Sequence, residues 1–347
     1  MHSVRSTASR WGEPIVLGPN QPLERPYRGG AGIARLRNTP QPSLFSPEDF
    51  VGSTTEIYAG GGIGLTMLAD GTTLREAVER DPIAFLGADH VKRYGSSIEL
   101  LVKLLHTAER LFVHFHPDAE FSRAHLHRDR GKTEAWVIVD TEGDGYAHLG
   151  FSRDVSEAEV ERWVTGQDVP DMLGAMNRVA LAAGDTLFVP ARLPHSIGPG
   201  ITLVELQEPV DVSVLLEFAD FGLTQAEALF DLAPGTALSG LDRRGWAAEQ
   251  LSALVADAPG DDTAVAPLFG RQADGLFRAD RYRPRGTVEL EAGFSILVVL
   301  DGTGTLSYEG GSLALTRGST VLVPFAVGRS ELSGDVEVIR CRPPLAR

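Results

Sequence analysis

Three imidazoles and one carboxylate carry the strongest chemical signal in this chain. His114 and His116 form an H-x-H pair within the apolar run Leu111–His116, Glu134 opens the next strand-like run, and His195 follows a third one bounded by Gly and Pro. Residues i and i+2 of a strand face the same side, so the pair presents two imidazoles to one side, taken as the interior of a barrel. Three imidazoles and a carboxylate are a borderline-hard donor set that suits Zn²⁺, with Mn²⁺, Fe²⁺ or Co²⁺ chemically acceptable. An H-x-H pair alone is more often a surface or satisfied core pair, and Glu134 alone would be a solvated strand-end carboxylate. The order of the pieces along the chain is what points to a metal. His125 and His127 also form H-x-H and read as solvated loop residues.

Several elements must position these groups. Leu111–His116 and Ala135–Asp140, the latter rich in Val, Ile and Trp, read as strands, with an irregular charged loop, Pro117 to Lys132, between them. Helical patterns occupy about 73–94, interrupted by Pro82, and about 156–177. Residues 15–60 read as extended structure with turns, and Val179–Leu206 as short strands broken by Gly and Pro. The stretch 233–280, with Pro234-Gly235, a short helix near Trp246 to Val255 and Pro259-Gly260-Asp261-Asp262, reads as an interdomain connection. From Tyr282 onward the chain is strands and turns.

An internal echo links the two ends of this order. Gly184 is followed by Pro190 and then His195; Gly318 is followed by Pro324 and then Arg329, with identical gaps. Two similar β units, one with histidines and one without, suit a duplicated barrel whose second copy lacks the site. The expected division is 1–232 for a metal-bearing domain with helical insertions, 233–280 for a linker, and 281–347 for a metal-free domain. A chain of 347 residues is long enough for two cores.

Composition excludes some functions. Hydrophobic residues at 43% and charged residues at 23% describe an ordinary globular protein. A formal charge of −15 argues against nucleic acid or an anionic membrane as partner, yet leaves room for a local cationic pocket. Cys341 is the single cysteine, so no intramolecular disulfide forms and a reducing compartment is the default. Met1 to Pro14 has two arginines and no apolar core of a secretory signal. No apolar stretch nears the ~20 residues that span a bilayer. The expectation is a cytoplasmic protein.

The second half of the metal pattern, Gly184…Pro190-Ala191-Arg192-Leu193-Pro194-His195, resembles the cupin motif G-x5-P-x-G-x2-H, with Arg192 at the usual glycine. The first half keeps H-x-H and Glu but separates them by the long loop. The wider set is similar to the type I phosphomannose isomerases. It comprises Leu111-Phe-Val-His-Phe-His-Pro-Asp118, Gly131-Lys-Thr-Glu-Ala-Trp136, Gly184-Asp-Thr-Leu-Phe-Val-Pro-Ala191, His195-Ser-Ile-Gly198, Val204-Glu-Leu-Gln207 and Tyr27-Arg-Gly-Gly30. The resemblance covers most of residues 25–220. It implies a mainly β fold with helical insertions, a double cupin of two β-barrels or jelly rolls with the metal site in the first.

The resemblance also implies zinc on His114 (replacing a family Gln), His116, Glu134 and His195. Its activity is interconversion of mannose 6-phosphate and fructose 6-phosphate through a cis-enediol, an intramolecular oxidoreduction. In that chemistry the metal polarises O1 or O2 and a base serves C2. Lys132, on the same strand face as Glu134, matches the lysine of G-K-T-E; Glu205 and Asp211 match family active-site acids. Lys103 matches a lysine near the phosphate pocket, and Arg192 is a further candidate substrate cation, with Arg28 and Arg123 unassigned. Two departures bear on the substrate. Phe112 stands where the family has a phosphate-contacting serine, and Leu215 stands where it has an arginine. The readings left open are a mannose-6-phosphate isomerase, an isomerase of another sugar or sugar phosphate, a metal-containing sugar-binding cupin, and an iron dioxygenase cupin. The expected partner is a small sugar or sugar phosphate. The oligomeric state is not legible.

Overall fold

The strand Glu134–Thr141 sends alternate side chains into two different cores. Trp136 and Ile138 pack with Leu105, Leu187 and Leu203. Ala135 and Val137 pack with Val102, Leu104, Phe188 and Val204. A strand covered on both faces needs apolar residues at successive positions, which is why this run lacks polar alternation until Asp140. In the computed structural model, which describes residues 10–260 and 262–346, this strand lies inside a six-stranded antiparallel sheet. The sheet order is Val255–Ala256, Thr186–Val189, Glu134–Thr141, Ile201–Gln207, Leu101–His106, Glu48–Val51. The expectation for Met1 to Pro14 falls largely outside the described residues, as does Asp261.

A five-stranded sheet covers one face: Val214–Leu215, His114–Phe115, His195–Ile197, Tyr146–Phe151, Met176–Ala180. Together the two sheets enclose the first barrel. The other face of the six-stranded sheet meets an eight-stranded sheet, because Ile296, Val298, Ile339 and Cys341 share the core of Leu104 and Val204. The alternate residues Leu297, Val299 and Val338 point into a third, separate core. The long strands Ser295–Tyr308 and Ser330–Arg342 thus line the second barrel on one face and the junction on the other. The fold is mainly β, as a cupin requires, and no described helix is long and apolar enough to cross a membrane.

The internal echo has a structural counterpart. Gly184 and Gly318 both adopt positive φ, +92° and +82°, and each opens a short strand, Thr186–Val189 or Thr320–Val323, that ends at the proline. Only a residue without Cβ takes this turn cheaply. At Gly318 a Cβ would meet Leu36 O at 2.1 Å as well.

Four expectations need correction. The 73–94 pattern is three short helices, Leu74–Arg80, Pro82–Leu86 and Ala88–Tyr94; Pro82 lacks an N–H and starts a new helix, and Gly87 at φ +81° separates the last two. The 156–177 pattern splits into Glu157–Gly166 and Val169–Gly174, and Met176–Ala180 is already a strand paired with Tyr146–Phe151. The Pro117–Lys132 loop contains the helix Ala119–His125, capped by Asp118, whose carboxylate accepts from Phe121 N at 2.8 Å. Finally, Val265–Pro267 and Arg278–Tyr282 lie in the eight-stranded sheet, as does Ile15–Leu17, which pairs with Thr320–Val323. The second barrel therefore also takes strands from ahead of 281–347, because Thr320–Val323 and Ser330–Arg342 offer edges that Ile15–Leu17 and Arg278–Tyr282 satisfy.

Candidate metal centre and active-site cavity

Register brings the histidines together. His114 lies directly across from His195 in the five-stranded sheet, and His116 follows two residues along on the same face. Potential ligand atoms of His114, His116 and His195 all lie within 4.8 Å of one another, and all three side chains are buried. Each ring is aimed by its other nitrogen: Nδ1 meets a backbone carbonyl at Phe112 (3.0 Å), Val212 (2.9 Å) and Leu193 (2.9 Å) respectively. A carbonyl only accepts, so each Nδ1 carries the proton and each Nε2 keeps its lone pair. His195 Nε2 is a fully buried atom with no hydrogen-bond partner.

Glu134 reaches the same point from the opposite sheet. One carboxylate oxygen is 2.9 Å from His116 Nε2 and the other 3.3 Å from His195 Nε2. Trp136, two residues on, donates its indole N–H to Glu134 at 2.9 Å. Inward lone pairs, an anionic oxygen and an orphaned nitrogen fit a divalent cation. Burial, with the neighbouring imidazoles adding to it, pushes His114 well below the ordinary range, and burial beside Lys132 lowers His116 to about 3. Both rings are neutral donors at pH 7. Burial alone would raise Glu134, but Lys132 and His116 hold it well below the usual carboxylate range.

Glu205 lies on the inner face of the six-stranded sheet, and Lys132 stands two residues ahead of the strand Glu134–Thr141. Lys132 Nζ is 2.8 Å from Glu134, 3.0 Å from His116 Nε2 and 3.7 Å from Glu205. Its place depends on Gly131, where a Cβ would meet the backbone of Asp118 and Ala119 at 2.7–2.8 Å. The strand-to-loop approach there leaves no room for a side chain. Glu205 is paired across strands with Trp136 and Lys103, has one oxygen without a hydrogen bond, and is raised to about 7 by burial and by Glu134.

Asp211 and Lys103 sit in a different arrangement. Lys103 is buried and bridges Glu48 at 2.9 Å and Asp211 at 3.0 Å. Arg25 bridges the same two carboxylates. Burial opposes every one of these charges, yet the mutual pairing keeps Asp211 and Glu48 ionised and raises Lys103 and Arg25. Sequence reading missed Arg25 and Glu48, since an isolated arginine or a Glu at a strand start carries no local signal. It also missed Glu217, which holds Arg110 at 2.6 Å and accepts from Val113 N at 2.9 Å, fixing the chain just before His114.

These groups line a small inner cavity of about 40 Å³ bounded by His114, Lys132, Glu134, Glu205, Lys103 and Asp211. It adjoins an outer pocket of about 520 Å³, with Arg25, Tyr27, Phe112, Asp211 and Ser213 in both walls. Arg192 lines neither. Its guanidinium reaches Asp118 at 3.3 Å and the carbonyls of Gly240 and Ser239 on another face. Phe112 and Leu215 both line the outer pocket, and His125 and His127 stay outside the centre.

Residues 284–343 match the family model for the mannose-6-phosphate isomerase cupin domain. A mannose-6-phosphate isomerase of Streptococcus mutans is 25% identical over 271 residues, covering 74% of this chain and 79% of that one. Among solved structures, the mannose 6-phosphate isomerase from Bacillus subtilis has a TM-score of 0.74 at 21% identity, covering 95% of this chain and 99% of the other. A mannose 6-phosphate isomerase bound with zinc and yttrium has the same TM-score at 14% identity, covering 96% and 100%. With the second barrel matched by the family model and the first carrying the motif residues in one buried centre, the chain has the cupin fold of the type I phosphomannose isomerases and is similar to them along both barrels.

Proposed function

We propose that this protein is a metal-dependent aldose–ketose isomerase, moving a proton between C1 and C2 of a hexose through a cis-enediol, the interconversion its relatives are named for on mannose 6-phosphate. The observation that carries it is the convergence of His114, His116, His195 and Glu134 beside Lys132 and Glu205. His114, His116, His195 and Glu134 would hold the ion, and Zn²⁺ suits three imidazoles and one carboxylate best. A zinc-containing structural neighbour is in keeping with that choice. When bound, a divalent cation supplies a Lewis acid for the sugar oxygens at C1 and C2.

The chain's own groups then divide the proton work. Glu205, raised to about 7, is half ionised near neutrality and suits a general base. Lys132 lies between Glu134 and Glu205 and places a positive charge where oxyanion character develops. Asp211 is a positioning residue, because its charge is committed to Lys103 and Arg25. Phe112 and Tyr27 line both the cavity and the outer pocket.

The test is solvent exchange. Metal-loaded protein incubated in D2O with mannose, fructose and their 6-phosphates should place deuterium at C2 of the aldose or C1 of the ketose for at least one sugar. No incorporation from any of the four would remove the isomerase reading and leave a metal-bearing sugar-binding protein.

A further inference from the structure

The chemistry at C1 and C2 is confined to the inner cavity, so the outer pocket must recognise the far end of the sugar. A phosphate there would need a cation with an uncommitted charge. Among the described residues, Arg25 is the one cation that lines the outer pocket, and it is bridged to Glu48 and Asp211. Lys103 behind it is bridged to the same pair at 2.9 and 3.0 Å. Two cations and two carboxylates thus close a buried quartet of zero net charge. The remaining charged residues of the pocket wall are Glu24, Glu227 and Asp231, all acidic.

The rest of the wall is mainly apolar, with four aromatic rings among aliphatic side chains. Tyr58 and Phe230 stand with ring centroids 4.7 Å apart, and Tyr27 meets Phe112 edge to face at 5.6 Å. Such rings offer electron-rich faces to the C–H groups of a sugar and no positive charge to a dianion, to which Tyr27 and Tyr58 can give only neutral O–H donors. Arg128 lies over the Tyr58 ring at 4.9 Å, outside the pocket wall, where the ring takes its charge as a cation–π partner.

We infer that the outer pocket selects a hexose without phosphate, held at its far end by Tyr27, Tyr58, Phe112 and Phe230. This rests on the isomerase reading for the reaction but not for the binding preference. Positive charge is concentrated at the metal end, where the enediolate forms. The far end is acidic and apolar, and a dianionic group would meet carboxylates there in a partly enclosed site where screening is weak.

Sorbitol and sorbitol 6-phosphate separate the two claims, since neither can be isomerised. By calorimetry on the zinc-loaded protein at low ionic strength, sorbitol should bind at least tenfold more tightly than its 6-phosphate. Tighter binding of the phosphate, or no binding of either, would overturn the inference whatever the protein catalyses. Kinetically, kcat/KM for deuterium exchange should be at least tenfold higher with mannose than with mannose 6-phosphate, and the reverse order would overturn it too. Exchange absent from both sugars, with sorbitol still preferred, would sink the isomerase reading alone. Glu24→Lys, at an exposed rim position, should raise affinity for sorbitol 6-phosphate about fivefold and leave sorbitol unchanged; no gain would show that wall charge does not set selectivity. Arg128→Ala should leave both affinities unchanged, and a tenfold loss for the phosphate alone would identify Arg128 as a phosphate handle and defeat the proposal.

Discussion

Trp136 donates its indole N–H to the carboxylate of Glu134 at 2.9 Å, from two positions further along the same strand. The strand period puts both side chains on the inner face, and burial of the indole locks its direction. The carboxylate is therefore aimed before any ion arrives. Trp136→Phe keeps the aromatic volume and removes the donor. Loss of such a supporting hydrogen bond weakens metal binding by about 10–100-fold. Competition against a chromophoric chelator should show that loss with little change in far-UV circular dichroism; unchanged affinity would mean Glu134 needs no such support.

The ligand set itself makes a sharper demand. His116→Ala and Glu134→Ala each remove a donor from a four-group centre whose members lie on two sheets. Purified variants should carry well below stoichiometric zinc by elemental analysis and lose isomerisation together with it. Stoichiometric metal in either variant would contradict the assignment.

Lys103 distinguishes a structural cation from a substrate one. Its ammonium is buried between Glu48 and Asp211 and lies 4.6 Å over the Phe50 ring. Lys103→Met leaves two carboxylates with only Arg25 between them, and removing one partner from a buried ion pair costs about 3–5 kcal/mol. Urea denaturation should show a loss of that order. A variant of unchanged stability but raised KM for sugar phosphates would instead mark Lys103 as a phosphate ligand.

The parts of this design that sequence disclosed are those written in short spacings. H-x-H fixes two side chains on one strand face, and Gly184 to His195 is one turn and one strand, so His114, His116 and His195 could be seen before any fold was known. The quartet could not. Lys103 and Asp211 are 108 residues apart, and Arg25 meets them from a segment with no regular structure, so only the tertiary fold closes the ring. The helix Ala119–His125 was hidden for another reason: at seven residues it is held by the Asp118 cap and burial of Phe121 rather than by a repeating apolar stripe. Strand Ile15–Leu17 was hidden because its partner edge is about 300 residues downstream.

Glu205 links stability to pH in a direction that can be checked without substrate. In the folded protein burial and Glu134 raise it from 4.5 to about 7. The native state therefore holds this proton more tightly than the unfolded chain does. The resulting stabilisation is complete below the unfolded value and is lost as pH rises through about 7. Glu205→Gln keeps the shape and abolishes the charge. In metal-stripped protein its Tm should exceed that of the wild type by more at pH 8 than at pH 5. The same variant, once zinc-loaded, should lose about 10²–10⁴-fold in deuterium exchange if Glu205 is the base. A stability difference independent of pH would mean that Glu205 is ionised throughout, and the poised-base role would go with it.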